Sequence, residues 1–270
     1  MQRGVAVRVV FLVVAFLAAG LVPASAQSQD ADLAKKLNNP VASLISVPFQ
    51  YNYDCCFGPS QGNRNTTNIQ PVIPIKLNSD WNLISRTILP VDGWEPTAPG
   101  GSYTSGIGDI TQSFFLSPER PTRDGIIWGV GPVFLLPTAT NAALGSGKWG
   151  AGPTAVMLKQ QDGWTVGILA NHIWSFAGEA DRSQVSNTFL QPFINYTFPN
   201  TFGITVNTES TYDWISHQWT VPINLQFSRI VKFGKLPVSL SAGPRYYAEA
   251  PPNGPKWGFR AAMTLLFPTK

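Results

Sequence analysis

Hydrophobic and polar positions alternate along the end of the chain, over residues 257–267. One face of this stretch is apolar throughout, and its end residues are Trp257 and Phe267. Side chains of a β-strand point alternately to opposite faces, so the pattern predicts a strand with one continuous apolar face. A stretch of about ten residues with an aromatic at each end is what a tilted strand needs to cross a bilayer. We therefore interpret it as the closing strand of an outer-membrane β-barrel.

Alternating stretches of this kind recur along the chain, joined in turn by short turns and longer loops. An even number of antiparallel strands with such connections is typical of bacterial outer-membrane barrels. The predicted fold is all-β, a transmembrane antiparallel β-barrel of about twelve strands, and imperfect alternation in two stretches leaves ten or fourteen strands open. The strands are predicted at residues 47–53, 69–77, 81–91, 106–116, 125–135, 149–158, 164–175, 187–197, 202–211, 218–230, 237–247 and 257–267.

Polar segments and prolines interrupt this pattern. Residues 54–67 are polar and residues 92–105 are rich in Gly and Pro, so both are predicted to be loops. Proline cannot donate a hydrogen bond to a strand ladder, and local bulges are expected where it falls inside a predicted strand. These prolines are Pro71, Pro74, Pro132, Pro192 and Pro222.

The N-terminus has the features of a secretory signal peptide. Arg3 and Arg8 flank an apolar run at residues 9–22, and Ala24-Ser25-Ala26 forms a cleavage site. The chain is therefore divided into a signal peptide at residues 1–26, an N-terminal helical segment at residues 27–40 and an outer-membrane β-barrel at residues 41–270.

Composition narrows the class of function. Charged residues make up 13% of the chain, about half the share of a soluble domain, and nine tryptophans are present. Removing Arg3 and Arg8 with the signal peptide lowers the net charge from +4 to +2, which argues against nucleic acid as a partner. Sparse charge and abundant aromatic residues favour a barrel whose outer face meets lipid. A secreted soluble β-sandwich is the alternative fold.

Two short features allow more than one interpretation. A helix is predicted from Asp30 to Asn38, either in the periplasm or as a plug in the lumen. The adjacent Cys55 and Cys56 allow a vicinal disulfide, two free thiols or an intermolecular bridge. With no histidine or further thiol nearby they make a poor metal site, and no cofactor is expected.

Histidines and tryptophans are interpreted as structural. A lipase would need a serine and a histidine on one face, but His172 and Ser175 point to opposite faces of a strand, and His217 lies in a predicted turn. The chain is therefore expected not to be an enzyme. Tryptophans near predicted strand ends favour an interfacial girdle over an aromatic ligand site. These are Trp81, Trp128, Trp149, Trp164, Trp174, Trp219 and Trp257.

Charged residues opposite the apolar stripes are predicted to line the lumen. An Arg or Lys on the lipid face near the midplane would cost about 2–4 kcal/mol, so the interior is favoured. Such residues form either a constriction that selects solutes or a salt-bridge network that fills the barrel and rigidifies it. The lumen-lining candidates are Lys76, Arg86, Asp109, Glu209, Arg245 and Arg260.

Several short runs resemble one known family. The runs are Leu33-Ala34-Lys35-Lys36, Asn39-Pro40, Leu44-Ile45-Ser46-Val47-Pro48-Phe49-Gln50, Ser85-Arg86-Thr87-Ile88-Leu89-Pro90, Gly106-Ile107-Gly108-Asp109-Ile110 and Lys232-Phe233-Gly234-Lys235-Leu236-Pro237. On these runs the chain resembles the bacterial outer-membrane transporter family described as a component of the meta-cleavage pathway of phenol degradation. The resemblance covers nearly all of the chain after the signal peptide. It implies a transport-like role and carries over no transport residues.

Pattern and resemblance together predict an outer-membrane barrel of a Gram-negative bacterium for the passive, TonB-independent passage of small molecules, hydrophobic or aromatic ones among them. The expected partners are outer-membrane lipid, a small-molecule solute and the barrel-assembly machinery, which would recognise the C-terminal strand ending at Phe267. The competing function is a structural or surface-interaction barrel with a blocked lumen. Lumen packing discriminates between the two, because transport needs a water path past Arg86, Glu209 and Arg260.

Overall fold

The computed structural model describes residues 32–268, so the predicted signal peptide and the Asp30 end of the predicted helix lie outside the described residues. A helix at residues 32–37 precedes one closed sheet, and none of the described helices is long and apolar enough to span a membrane. The strand segments are β1 (Leu44–Phe57), β2 (Gly62–Ile69), β3 (Val72–Lys76), β4 (Trp81–Trp94), β5 (Thr104–Ile107), β6 (Ile110–Pro118), β7 (Ile126–Leu136), β8 (Lys148–Gln161), β9 (Trp164–Gly178), β10 (Ser186–Thr197), β11 (Gly203–Thr208), β12 (Ser210–Asp213), β13 (Gln218–Phe233), β14 (Leu236–Glu249) and β15 (Trp257–Pro268).

The sheet closes into a barrel because β1 and β15 pair antiparallel, from Leu44 opposite Pro268 to Cys55 opposite Trp257. Three barrel strands each consist of two segments that share neighbours. Segments β2 and β3 both pair with β1 and β4, and segments β11 and β12 both pair with β10 and β13. Segments β5 and β6 both pair with β4. The described chain is therefore a twelve-stranded antiparallel β-barrel, which confirms the predicted fold class.

Proline explains two of the irregularities in the sheet. Pro71 separates β2 from β3, and a bulge lies between Val221 and Pro222 on β13. Glu209, between β11 and β12, donates its N–H to the Pro222 carbonyl at 3.4 Å, but Pro222 has no N–H to return. Strands continue without a register shift at Pro74, Pro132 and Pro192. The prediction of bulges is wrong at those three positions.

The polar stretch after β1 is strand, which corrects the loop predicted over residues 54–67. β1 continues to Phe57 and β2 starts at Gly62, so residues 58–61 make the connection. The hydroxyl of Tyr53 donates to Oδ1 of Asn63 across this ladder at 2.8 Å. Strands that extend beyond the apolar band face water on their outer side, so they lose the alternation that marks a membrane strand.

The outer surface of the barrel carries an apolar band. Aliphatic side chains on the outward face are exposed, and Ile75, Val166 and Met263, for example, are 45%, 50% and 41% exposed. Trp81 and Trp128 contact each other, with ring centroids 5.9 Å apart, and all seven tryptophans of the predicted girdle lie on outward-facing strand positions. So much exposed apolar surface is unfavourable in water and favourable in lipid. A closed barrel with this surface can span a bilayer, because every strand edge is paired.

Residues 32–43 enter one end of the barrel, with Ala34, Val41 and Ala42 buried and Asp32, Lys35 and Lys36 exposed at the rim, and we call this segment the plug. It sits at the end where β1 begins, β15 ends and the connections are short, which is the periplasmic end of outer-membrane barrels. Asn38 donates to Oδ1 of Asn195 at 2.8 Å and to Oγ1 of Thr197 at 3.2 Å on β10. Asn82 of β4 donates to Oγ of Ser43 at 3.3 Å. Asn38 and Ser43 thus contact two different strands of the barrel wall, β10 and β4. Of the two predicted positions, these contacts favour the plug in the lumen over a free position in the periplasm.

Val41 is the apolar centre of the plug and is 5% exposed. Gly129 of β7 leaves room for it, since a Cβ at that position would lie 3.1 Å from Cγ1 of Val41. The periplasmic half of the lumen is therefore packed like a protein core. The buried side chains clustered with Val41 are Ile84, Phe115, Val156, Leu158 and Leu169, and a second buried cluster joins Ala34 and Ala42 to Leu44, Ile230 and Leu266.

Candidate functional site

The structure brings three of the six lumen-lining candidates together. Arg260 of β15 donates two hydrogen bonds to the carboxylate of Glu209, from Nη1 to Oε1 at 2.7 Å and from Nη2 to Oε2 at 2.6 Å. Nε of Arg260 donates to Oδ1 of Asn52 at 2.7 Å. Arg245 of β14 donates from Nη1 to the same oxygen at 2.5 Å, and its Nε lies 3.4 Å from Oδ1 of Asp54. We call these five residues the charge cluster.

The charge cluster is buried, with Asn52, Arg245 and Arg260 only 3–8% exposed. A two-pronged arginine–carboxylate contact is both strong and fixed in geometry. Two arginines face two carboxylates, so the formal charges of the cluster cancel. Because the members come from β1, β14, β15 and the β11–β12 interruption, the cluster braces one side of the lumen.

Sequence reasoning missed two members of the charge cluster. Asn52 was assigned to the polar face of its strand, but its role depends on lying directly opposite Arg260 in the β1–β15 ladder. Asp54 fell in the stretch predicted as a loop. Both residues could be recognised only from the pairing of the first strand with the last, which alternation within single strands does not reveal.

Arg86 lies apart from the charge cluster, on the extracellular side of the plug. Its Nη2 donates to Oε1 of Gln70 at 3.1 Å, at the interruption between β2 and β3. A cavity of about 170 Å³ separates Arg86 from the plug, and we call it the central cavity. Lys36 of the plug lines the same cavity. Arg86 therefore borders the central cavity and does not belong to the packed charge cluster.

The other two candidates lie at the ends of the barrel. Lys76 pairs with the inward-facing Asn82 but is exposed at the periplasmic end of β3. Asp109 lies in the interruption between β5 and β6. Its Oδ2 accepts hydrogen bonds from the N–H and Oγ of Ser146 at 2.6 and 2.7 Å, while Oδ1 accepts from the N–H of Ala139 at 3.2 Å. Asp109 therefore anchors the loop between β7 and β8, a role that the sequence pattern did not predict.

The extracellular mouth holds a second cavity of about 410 Å³, which we call the vestibule. The guanidinium of Arg64 lies 4.3 Å from the ring centroid of Phe57 and 4.1 Å from that of Trp94, in favourable cation–π geometry. Tyr247 and Asp54 also line the vestibule, so it opens directly above the charge cluster. Arg64 and Trp94 were missed because both fall in stretches predicted as loops.

Cys55 and Cys56 are joined to each other by a disulfide, the first of the three predicted alternatives. The register between β1 and β2 shifts from Asp54 to Phe57, so the pair occupies a bulge. The carbonyl of Cys55 accepts the N–H of Lys256 at 3.2 Å from the loop between β14 and β15. The disulfide-bonded pair therefore lies at the mouth of the barrel, beside the loop between β14 and β15.

The structure does not bring His172 and Ser175 together, and the serine hydroxyl in contact with the imidazole is that of Ser186 on β10, 3.5 Å from Nε2 of His172. His172 faces outward, with Nδ1 2.7 Å from Oγ1 of Thr188 and its ring centroid 4.0 Å from that of Trp174. Ser175 turns to the opposite side and donates to Gln184 at 2.6 Å. Within residues 32–268, no three His, Cys, Asp or Glu residues are grouped to hold a metal ion.

Solved structures of other proteins have a similar fold, whereas sequence comparisons find no match. No protein-family model matches the chain, and no curated protein sequence matches it. The COG4313 outer membrane channel from Pseudomonas putida F1 is similar with a TM-score of 0.62 at 16% identity, over 83% of this chain and 96% of that chain. The fold is that of a Gram-negative outer-membrane β-barrel. The β domain of the Bordetella autotransporter BrkA aligns over 83% of this chain and 100% of that one, at 9% identity and a TM-score of 0.48.

Proposed function

We propose that this barrel is a channel for the passive passage of small molecules across the outer membrane, and that the plug is its gate. The observation that carries the proposal is the way the plug is held. Asn38 and Val41 attach it through side-chain contacts that part without breaking any strand ladder. Withdrawal of the plug would open the central cavity toward the periplasm. The similarity to a solved outer-membrane channel supports the same function.

The proposed solute path runs from the vestibule, past the charge cluster and Arg86, into the central cavity. The vestibule walls carry Phe57, Trp94 and Tyr247, and the central cavity has apolar walls that include Leu169. Such linings suit small molecules with an apolar or aromatic body and a few polar groups. This lining supports hydrophobic and aromatic solutes as the transported class, and with it the phenol-degradation link implied by the family resemblance.

A structural or surface-interaction barrel with a blocked lumen is the second candidate. The packing of Val41 against the barrel wall favours it, because this packing closes the periplasmic half of the lumen. The two candidates differ in whether the plug leaves its place in the folded protein. For both the channel and the blocked barrel we propose two further partners. Lipid would contact the apolar band, and the barrel-assembly machinery would recognise the C-terminal strand ending at Phe267.

Permeation through liposomes that contain the refolded protein tests the channel proposal. The solutes would be small sugars, amino acids and aromatic acids, compared between the wild type, an Asn38→Ala/Val41→Ala variant with a weakened plug and an Arg86→Ala/Arg260→Ala variant. Selective influx that rises in the plug variant and changes in the arginine variant is expected for a gated channel. No influx through any variant shown to be folded by heat-modifiable gel mobility would favour the blocked barrel.

A further inference from the structure

Two basic residues, Arg86 and Lys36, and no acid border the central cavity. A guanidinium has five N–H donors, yet within residues 32–268 the only hydrogen-bond acceptor of the Arg86 side chain is Gln70. The acidic group that acts on Arg86 electrostatically is Glu209, whose two carboxylate oxygens are both engaged by Arg260. Within the described part of the chain, the charge of Arg86 therefore has no direct ionic partner.

Shape and lining limit what the central cavity can hold. About 170 Å³ is the space of roughly five or six waters, at about 30 Å³ each, so an occupant must be small. Gln191 and Ser46 supply further polar groups, while Leu37 and Leu169 supply apolar surface. An anionic head beside the two cations and a short apolar body against the leucines would match each part of the lining.

We propose that the central cavity binds a small organic carboxylate between Arg86 of the barrel wall and Lys36 of the plug. A carboxylate matches the forked donors of arginine with two parallel hydrogen bonds, and the lysine ammonium adds a second charge contact. The bound anion would then link the plug to β4. The inference extends the proposed function, since it assigns a ligand and a control to the same lumen.

Binding between the wall and the plug has a consequence for gating. A ligand that prefers one state of a protein shifts the population toward that state. Because Lys36 contributes to the cavity only while the plug is in place, the carboxylate stabilises the plugged barrel. It therefore reduces the passage of an uncharged solute through the same lumen.

Calorimetric titration of the refolded barrel with benzoate tests the site directly, with benzyl alcohol as the uncharged counterpart. Benzoate should bind, and Arg86→Gln should weaken it by at least about tenfold, since hydrogen bonds to charged groups carry this much. Lys36→Gln should weaken binding by a smaller factor, and Arg86→Lys should retain part of it. Lys35→Gln is the matched control, because the neighbouring Lys35 lines a different pocket.

The flux of a small neutral sugar, measured with and without benzoate, tests the gating. Benzoate should slow the flux through the wild type and the Lys35→Gln variant, and should have little effect on Arg86→Gln. Equal binding of benzoate by the wild type and an Arg86→Gln/Lys36→Gln double variant, or equal binding of benzyl alcohol, would overturn the proposal. A barrel that binds benzoate but passes no sugar in any variant would refute the channel function and leave the binding site standing.

Discussion

The extracellular half of the lumen is lined by paired charges, whereas the periplasmic half is filled by apolar side chains around the plug. In the first half Arg260, Glu209 and Asn52 belong to strands of the barrel itself. In the second half Val41 belongs to a segment outside the sheet. The charged half cannot change without disturbing the wall, while the apolar half can empty with the wall intact.

This difference separates two functions that one lumen has to combine. Buried ion pairs are directional and lose several kcal/mol when a partner is removed, so they hold the wall in one arrangement. Apolar contacts are not directional and can be exchanged for other apolar contacts or for lipid. For the proposed channel, these two kinds of force would suit a rigid selective region in one half and a removable closure in the other.

The largest expected effect is on the charged half. Glu209→Ala leaves Arg260 buried without its carboxylate and should lower the free energy of unfolding by about 3–5 kcal/mol. Chemical unfolding of the barrel in detergent micelles measures this loss. Lys76→Ala is the control, because Lys76 is exposed at the rim and its removal should change stability by less than about 0.5 kcal/mol. Equal losses for both variants would show that the ion pair does not brace the wall.

The next effect belongs to the plug. Val41→Ala removes two buried methyl groups and should weaken the docking of the plug by about 2 kcal/mol, at roughly 0.8 kcal/mol per group plus a cavity term. Solute influx into liposomes should rise several-fold, while the chemical unfolding of the barrel wall changes little. An unfolding transition shifted as far as that of Glu209→Ala, with no gain in influx, would mean that the plug is part of the wall.

A third change tests the contact between plug and wall from the other side. Gly129→Ala places a methyl group 3.1 Å from Cγ1 of Val41, and such overpacking should cost about 1–3 kcal/mol. Combined with Val41→Ala the cost should shrink but not vanish, because the second change removes Cγ1 of Val41 and leaves Cβ of Phe115 at 3.2 Å from the new methyl group. Influx and stability of the two single variants and the double variant form a cycle that measures the coupling. Strictly additive effects would contradict direct packing of Val41 on Gly129.

The smallest effect is expected from the polar contacts of the plug. Asn38→Ala should cost about 1 kcal/mol, the usual net contribution of a hydrogen bond, and should make the plug more accessible to protease. Thr197→Val removes the 3.2 Å bond from Asn38 and the 2.9 Å bond that Thr197 donates to Asn195, but it keeps the 2.8 Å bond of Asn38 to Asn195 and should therefore release the plug less. The reverse order of the two variants would show that Thr197 is the main attachment.

Alternation of side chains was sufficient to predict the wall of this barrel. The face that meets lipid is uniformly apolar, so the alternation of apolar and polar residues is regular in stretches such as residues 218–230 and 257–267. This regularity identifies them as membrane-spanning strands. The strand count follows from them even though β2, β5 and β12 are short segments of interrupted strands. The prediction was wrong for residues 54–67, where the strands leave the bilayer and the pattern ends.

The contents of the lumen could be predicted only in part. Arg86, Glu209, Arg245 and Arg260 lie on inward-facing positions because the period of two fixes the face of each residue. The same period says nothing about partners across the barrel or about the height of a residue in the lumen. For Asp109 the period could not reveal the loop between β7 and β8, which supplies its three hydrogen-bond donors.

The plug continues directly into β1 at Leu44, which lies at the same rim that the plug closes. A displaced plug therefore leaves and returns through the periplasmic opening without threading through the barrel, and it stays tethered beside its own socket. For such a tethered segment the effective concentration is of millimolar order. Reclosure would then be fast, because it is intramolecular. Its rate would not depend on how many barrels the membrane holds.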